Sequence, residues 1–262
     1  MAHDLNIMTL LLGGYGVGKT TLAATAPGPI LFLDAEQSAR YLERVVITWE
    51  PGEDFPSLEG FPEDTIVVYD VTSWKRYSWV MRKVLRRQIP GIRSIVIDSL
   101  PEMQNKLQMS LTSEIFDRSN PLKHSQGKSY DHWEALRSTF QSDITNLASL
   151  KLPKGDHPGF NITITSGVNQ EVQPYKPLIL GGFRRDLARL MDIEGYLEVL
   201  RDTDMDSGEI EEMWRLDIQP HVDSLCEVKC RPPAVKREWG LYITNPNLSE
   251  IIRVINENRK SK

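Results

Sequence analysis

A chain of 262 residues with 40% apolar and 26% charged side chains has the make-up of an ordinary globular protein, which excludes disordered and fibrous classes. Its 31 Lys and Arg stand against 36 acids, a net charge of −5, so no global positive field draws it onto nucleic acid or an anionic membrane and any DNA contact must be local. The opening MAHDLNIMTLLLGG lacks a basic leader region and no run approaches the roughly 18 apolar residues of a membrane span, so the expectation is a cytoplasmic protein without a membrane partner.

In chain order, IMTLLL (7–12), ILFLD (30–34), VVIT (45–48), TIVVYDV (65–71) and SIVID (94–98) are short aliphatic runs separated by helical stretches. Continuous apolar runs of this kind indicate strands buried on both faces, hence an α/β fold with a mostly parallel sheet flanked by helices. Between Asp70 and Asp98 no acid occurs, while Lys75, Arg76, Arg82, Lys83, Arg86, Arg87 and Arg93 do. In the same stretch Tyr77, Val80, Met81, Val84 and Leu85 form the apolar face of a helix. A helix from about Tyr130 to Leu150 follows, with Trp133, Leu136, Phe140, Ile144 and Leu147 at three- and four-residue spacing, and NITITSG (161–167) continues the sheet.

After residue 190 the pattern changes to IEGYLEVL, EMWRLDI and LCEVKC, which suits antiparallel strands extending one sheet edge, and a closing helix is expected over Leu248 to Asn258. The chain thus reads as one domain, with a core over 1–190 and an antiparallel extension over 191–262. Cys226 and Cys230 read as buried thiols on one strand face beside Val228. The extension is acidic from Asp192 to Asp217. Three readings of the segregated charge stay open: solvated faces, a basic DNA track, or complementary surfaces between subunits. Lys229, Arg231, Lys236 and Arg237 beside Trp239 combine cations with an aromatic, as single-strand binding sites do, although Trp239 suits a core equally well. Two long polar connections, 110–129 and 169–182, are candidates for ligand contact.

The chemistry concentrates at Gly13-Gly14-Tyr15-Gly16-Val17-Gly18-Lys19-Thr20, which fits G-x-x-x-x-G-K-[ST] after a strand and at the start of a helix, the context of a P-loop. Glycines let successive backbone N–H groups cradle phosphates, Lys19 reaches the β- and γ-phosphates, and the Thr20 hydroxyl serves Mg2+. Nucleotide contacts are therefore assigned from Gly13 through Thr21. A P-loop enzyme also needs an acid at the end of a neighbouring strand on the Mg2+ side, and Asp98, ending SIVID, fits; it is equally suited to cap the helix that follows. For the base that activates water, LFLDAEQ offers Asp34 and Glu36, both of which would also favour the N-terminus of a following helix.

GGYGVGKT, FLDAEQ, IVIDS and NITITSG leading to Asn169-Gln170, in that order, resemble the RecA-like ATPase core, and more closely the phage single-strand annealing proteins of the Sak type, also known as phage P-loop nucleotide-binding proteins. The helix YDHWEALRSTF and the late KCRPP segment add to the likeness, which spans roughly 7–255. What the resemblance implies is an ATPase with ATP and Mg2+ as cofactors that acts on single-stranded DNA in recombination, annealing or replication. Glu36 matches the water-activating glutamate. Gln170 lies where such proteins place the residue that senses the γ-phosphate, with Asn169 and Ser166 as neighbouring alternatives, and 171–182 and 110–129 stand where the DNA loops fall. A homo-oligomer with nucleotide at a subunit boundary is implied, Arg184 or Arg185 being placed to act on the neighbour's site, together with a phage or host single-strand binding protein as a partner. Only about a dozen residues precede the P-loop, so the polymerisation arm of RecA is not expected. The rival readings are a helicase or loader subunit, a nucleotide-gated assembly protein without turnover, and a small-molecule kinase. If the protein is phage-encoded, its place is the host cytoplasm.

Overall fold

The computed structural model describes residues 4–44, 46–118, 130–171, 173–179, 183–203, 210–222 and 224–260. The parallel part of its sheet consists of β1 (Met8–Leu12), β2 (Ile30–Asp34), β3 (Val46–Thr48), β4 (Ile66–Asp70), β5 (Ser94–Asp98) and β6 (Asn161–Ser166). Three further strands, β9 (Ile193–Thr203), β10 (Ile210–Asp217) and β12 (Tyr242–Thr244), extend it to the spatial order β12-β10-β9-β1-β6-β5-β2-β4-β3, and β11 (Lys229–Cys230) also pairs with β9. A small hairpin, β7 (Val168–Asn169) with β8 (Lys176–Pro177), stands apart. The helices are α1 (Lys19–Ala23), α2 (Trp74–Leu85), α3 (Leu100–Arg118), α4 (Tyr130–Ser149), α5 (Phe183–Leu190), α6 (Pro233–Trp239) and α7 (Leu248–Lys260).

The aliphatic runs of β1, β2, β4, β5 and β6 are strands that bury both of their faces, whereas β3, expected to be buried likewise, is the sheet edge, with Val46 and Thr48 exposed. In β1, Leu10 and Leu12 point into the core shared with α2, α3 and α4, while Ile7 just before it and Leu11 point into the core shared with α1 and α7. Leu31 and Leu33 against Ile30 and Phe32, and Ile95 and Ile97 against Val96, repeat the division. Each such side chain, fully withdrawn from water, contributes about 1.5–3 kcal/mol.

Helix α2 begins at Ser73, whose Oγ accepts from the backbone N–H of Arg76 at 3.3 Å. It ends in a Schellman arrangement, Arg87 N–H to Val84 O at 2.9 Å and Gln88 N–H to Lys83 O at 2.9 Å, with Arg87 itself left-handed at φ 59°. A non-glycine residue is held there by its side chain. The Arg87 guanidinium donates to Leu150 O and Leu152 O and lies 4.6 Å over the Phe160 ring.

The extension departs from expectation in three ways. The run IEGYLEVL is not wholly antiparallel: β9 lies parallel to β1, with Leu12 opposite Tyr196, and only its other side receives the antiparallel β10. LCEVKC does not form one strand, since Cys226 makes an isolated bridge to Tyr175 and β11 starts at Lys229; both cysteines are nevertheless buried and free, and burial pushes the Cys226 thiol up to about 12. The strand β12, three residues after a glycine turn, has too short a pattern to be read from sequence. The 110–129 connection is helical up to Arg118, and 119–129 lie outside the described residues. The 169–182 connection contains β8, with 172 and 180–182 outside the described residues.

The cationic cluster of the extension has structural work. Lys229 Nζ donates to Ala188 O and Arg231 Nη2 to Arg189 O at 2.5 Å, so two cations meet the C-terminal carbonyls of α5. Arg237 reaches Asn258 Oδ1 at 3.1 Å, and Trp239 packs against the core shared by α1 and α7.

Glu194 on β9 is 6% exposed, and burial pushes its carboxyl up to about 7, with Lys229 drawing it down and Glu227 raising it further. An acid whose pKa is raised on folding binds more protons in the folded state between its unfolded value and about 7, so stability falls as pH rises through that window. Glu194→Gln is expected to melt above the wild type at pH 8 by up to roughly 3 kcal/mol of stability. The difference closes as the pH is brought down to about 4.5, and urea titrations of both proteins at the two pH values measure it.

Candidate nucleotide site

Strands β1, β2, β5 and β6 all run in one direction, so their C-terminal ends lie together and carry the chemistry on the loops that leave them. From β1 the chain enters the P-loop. Gly13 has no room for a side chain, since a methyl there would stand 2.7 Å from Leu197 O of β9 and 2.9 Å from Val17. Gly18, at φ 91°, is left-handed and lies under Trp214 of β10, whose Nε1 is 3.0 Å from the place a methyl would occupy. Two of the motif's glycines are thus fixed by the extension as well as by the loop.

Lys19 opens α1 and turns back over the loop, its ammonium donating to Gly14 O at 2.6 Å and Gly13 O at 3.2 Å. Burial lowers its pKa, and the charges of Asp98 and Glu36 pull the other way. Thr20 Oγ1 donates to Asp98 Oδ2 at 2.7 Å. Asp98 also accepts from Ser38 Oγ at 2.5 Å, and on Oδ1 from Thr165 Oγ1. Its carboxylate is thus turned toward the P-loop, and α3 starts two residues later with Ser99 O accepting from Met103 N–H.

Asp34 ends β2 directly opposite Asp98, yet its surroundings differ. Its oxygens accept from the backbone N–H groups of Glu36 at 3.2 Å, Ser38 at 3.1 Å and Ala39 at 2.9 Å. Burial raises its pKa against these donors, with Asp98 adding to the rise. Asp34 therefore shapes the turn into the short 3-10 segment Ala39–Tyr41 and is not available as a base. Glu36, two residues on, is exposed, and its Oε1 accepts from the Ser99 hydroxyl. The turn chemistry separates the two carboxylates that sequence left as equals.

A cavity of about 270 Å³ brings together Gly16, Lys19, Thr20, Glu36, Ser38 and Asp98, and Thr21 and Gly18 also border it. Tyr15 and Tyr41 stand at its rim, 88% and 75% exposed. Gly14 faces Gln170, whose Nε2 is 3.9 Å from where a Gly14 methyl would be. The alternatives are otherwise engaged: Ser166 Oγ donates to Gly167 O, and Asn169 Oδ1 accepts from Glu171 N–H. Arg184 and Arg185 fall in α5, and their side chains lie outside the described residues.

A second cavity, about 350 Å³, opens on the other side of Gly18 between α1 and the extension, walled by Thr21, Leu22, Thr25, Leu197, Trp214 and Pro246. Sequence did not single out Trp214, Ser38 or Thr165. Ser38 follows the DAE triplet closely enough to have been weighed, but Trp214 and Thr165 reach the site only through sheet pairing.

The set of hard oxygens around Asp98, namely Thr20, Ser38 and the carboxylate itself, suits Mg2+. Among the described residues no three His, Cys, Asp or Glu side chains group as a metal cage. No helix among the described residues is long and apolar enough to cross a membrane.

No curated protein matches the chain. A family model described as an AAA domain (AAA_24) matches residues 5–199, which run from the start of the sheet through the P-loop, Glu36, Asp98 and Gln170 into β9. With a P-loop whose lysine and threonine converge with Glu36 and Asp98 on one cavity, and with that match over most of its length, the chain belongs to the AAA domain family of P-loop ATPases.

Proposed function

We propose that this ATPase binds ATP with Mg2+ across the P-loop and uses its hydrolysis to act on single-stranded DNA, in the manner of the Sak-type RecA-like annealing proteins its motifs resemble. The observation that carries the reading is the convergence of Lys19, Thr20, Glu36 and Asp98 on one cavity, with Gln170, at the turn of the β7–β8 hairpin, beside Gly14 of the P-loop.

In this reading the backbone of Gly13 to Thr21 holds the phosphates, and Lys19 exchanges its two carbonyl partners for β- and γ-phosphate oxygens. Thr20 and Asp98 would hold Mg2+, which would supply neutralising charge for the phosphates. Glu36 accepts the proton of the attacking water, with Ser99 fixing its carboxylate. Gln170 contacts the γ-phosphate side, and the hairpin beyond it carries that contact to DNA. The exposed rim formed by Tyr15 and Tyr41 suits a second subunit closing over the nucleotide.

The 350 Å³ cavity would take the nucleobase, with Trp214 as its aromatic wall. Trp214→Ala is expected to weaken ATP binding about 10-fold, the loss of roughly 1.4 kcal/mol, while kcat at saturating ATP stays near wild type. Titration with a fluorescent ATP analogue, alongside steady-state kinetics, reads the two separately.

The function is tested by measuring phosphate release with and without a 40-nucleotide oligothymidylate, for the wild type and for Gln170→Ala. DNA is expected to stimulate the wild type, and Gln170→Ala to keep basal turnover while losing the stimulation. A wild-type rate indifferent to DNA would remove the coupling.

A further inference from the structure

A further concavity lies away from the P-loop. On α2 and its C-cap, Lys75, Trp79, Arg82 and Arg86 recur at three- and four-residue steps, with Lys83 next to Arg82, and so form a single stripe on the side opposite the buried Tyr77, Val80, Met81 and Val84. Trp79 is thus an aromatic set among cations. Trp79, Arg82, Lys83, Arg86 and Gln88 line a concavity of about 340 Å³, and Lys83 Nζ is 5.6 Å from the Trp79 ring centre. The indole is fixed from behind, stacked on Tyr69 at 5.8 Å and 14° and packed on Trp49 at 5.3 Å.

Two neighbouring cations are engaged by acceptors. Arg76 pairs with Glu50 at 3.3 Å and Arg87 holds the carbonyls after α4, whereas Lys75, Arg82, Lys83 and Arg86 form no ion pair among the described residues. With no acid between Asp70 and Asp98, their potential is not cancelled along the helix. Since α2 starts beyond the C-terminal end of β4 and finishes before the N-terminal end of β5, the concavity near its last turn lies at the end of the sheet away from the P-loop.

We propose that this stripe is a binding site for single-stranded nucleic acid that operates without nucleotide. Lys75 to Arg86 span about 16 Å along the helix, the reach of several successive phosphates. Trp79, pre-positioned and flanked by cations, offers a wall for an unstacked base. A duplex keeps its bases stacked inside and would use the cations alone. An acidic peptide would have no use for the indole. The site is separate from the hairpin that the proposed function invokes, so either can fail without the other.

The experiment is fluorescence anisotropy of a labelled 20-nucleotide oligothymidylate with the full chain, in the absence of ATP, over a series of salt concentrations. Wild type and Lys19→Ala are expected to bind alike. Arg82→Glu/Arg86→Glu, both exposed, is expected to bind at least 10-fold more weakly and to lower the salt slope by about 1.4, two phosphate contacts at about 0.7 each. Its melting temperature and DNA-free ATPase rate should match wild type, which separates a lost site from a lost fold. Wild type failing to bind, the charge-reversed protein binding as well as wild type, or binding that disappears in Lys19→Ala would each overturn the proposal.

Discussion

Glu36→Gln is expected to lower ATP turnover at least 100-fold while leaving ATP affinity within a few-fold of wild type. A group that accepts a proton in the transition state contributes on the order of 10²–10⁴ in rate, and an amide of the same shape cannot accept it. The geometry makes the substitution clean: Glu36 is exposed into the phosphate cavity, and a glutamine oxygen still accepts from Ser99, so neither the turn nor the P-loop is disturbed. Lys19→Ala should behave differently, losing binding itself, because Lys19 is the only ammonium among the residues lining that cavity. Phosphate release under saturating ATP and equilibrium titration with a labelled nucleotide distinguish the two. A Glu36→Gln protein that turns over at the wild-type rate would assign the base elsewhere.

Asp98→Asn should cost both stability and the Mg2+-dependent part of nucleotide affinity. Asp98 is 2% exposed and accepts from three hydroxyls, on Thr20, Ser38 and Thr165. An asparagine keeps one acceptor oxygen and turns an NH2 group toward donors, so at least one buried partner is left unsatisfied, at about 1–3 kcal/mol. Urea denaturation without nucleotide measures that loss. ATP binding compared with and without millimolar Mg2+ measures the other: wild type should gain from the ion and Asp98→Asn should gain little. Equal gain in both would place the ion on other oxygens.

What could be read from the chain beforehand was what depends on near neighbours. The P-loop, the strand-end acids and the buried strands are patterns within ten residues, and the structure keeps each at its expected place within a residue or so. The parallel pairing of β9 with β1 is not legible in IEGYLEVL, which looks the same whichever strand it meets; the register that sets Leu12 opposite Tyr196 decides it. Thr165 could be placed on a strand but not beside Asp98, since that contact needs β6 inserted next to β5, a pairing between residues 67 positions apart. Lys229 and Arg231, read with Trp239 as a cation and aromatic cluster, cap a helix some 40 residues earlier in the chain. In each case the decisive partner is distant in sequence, and local pattern carries no information about it.

The two carboxylates at the ends of β2 and β5 face each other across one rung of the sheet, Asp34 opposite Asp98, and they differ chiefly in who donates to them. Asp34 is held chiefly by amide N–H groups, whose direction is set by the backbone, with the Ser38 hydroxyl a longer donor at 3.4 Å, so releasing it means unwinding the turn that follows. Asp98 is held by hydroxyls, each of which turns about a single bond. In the proposed reading a cation at Asp98 would replace those contacts through side-chain rotation alone. Of two like groups side by side, one is therefore fastened to the backbone and the other to side chains that turn, and the balance of donors sets the difference.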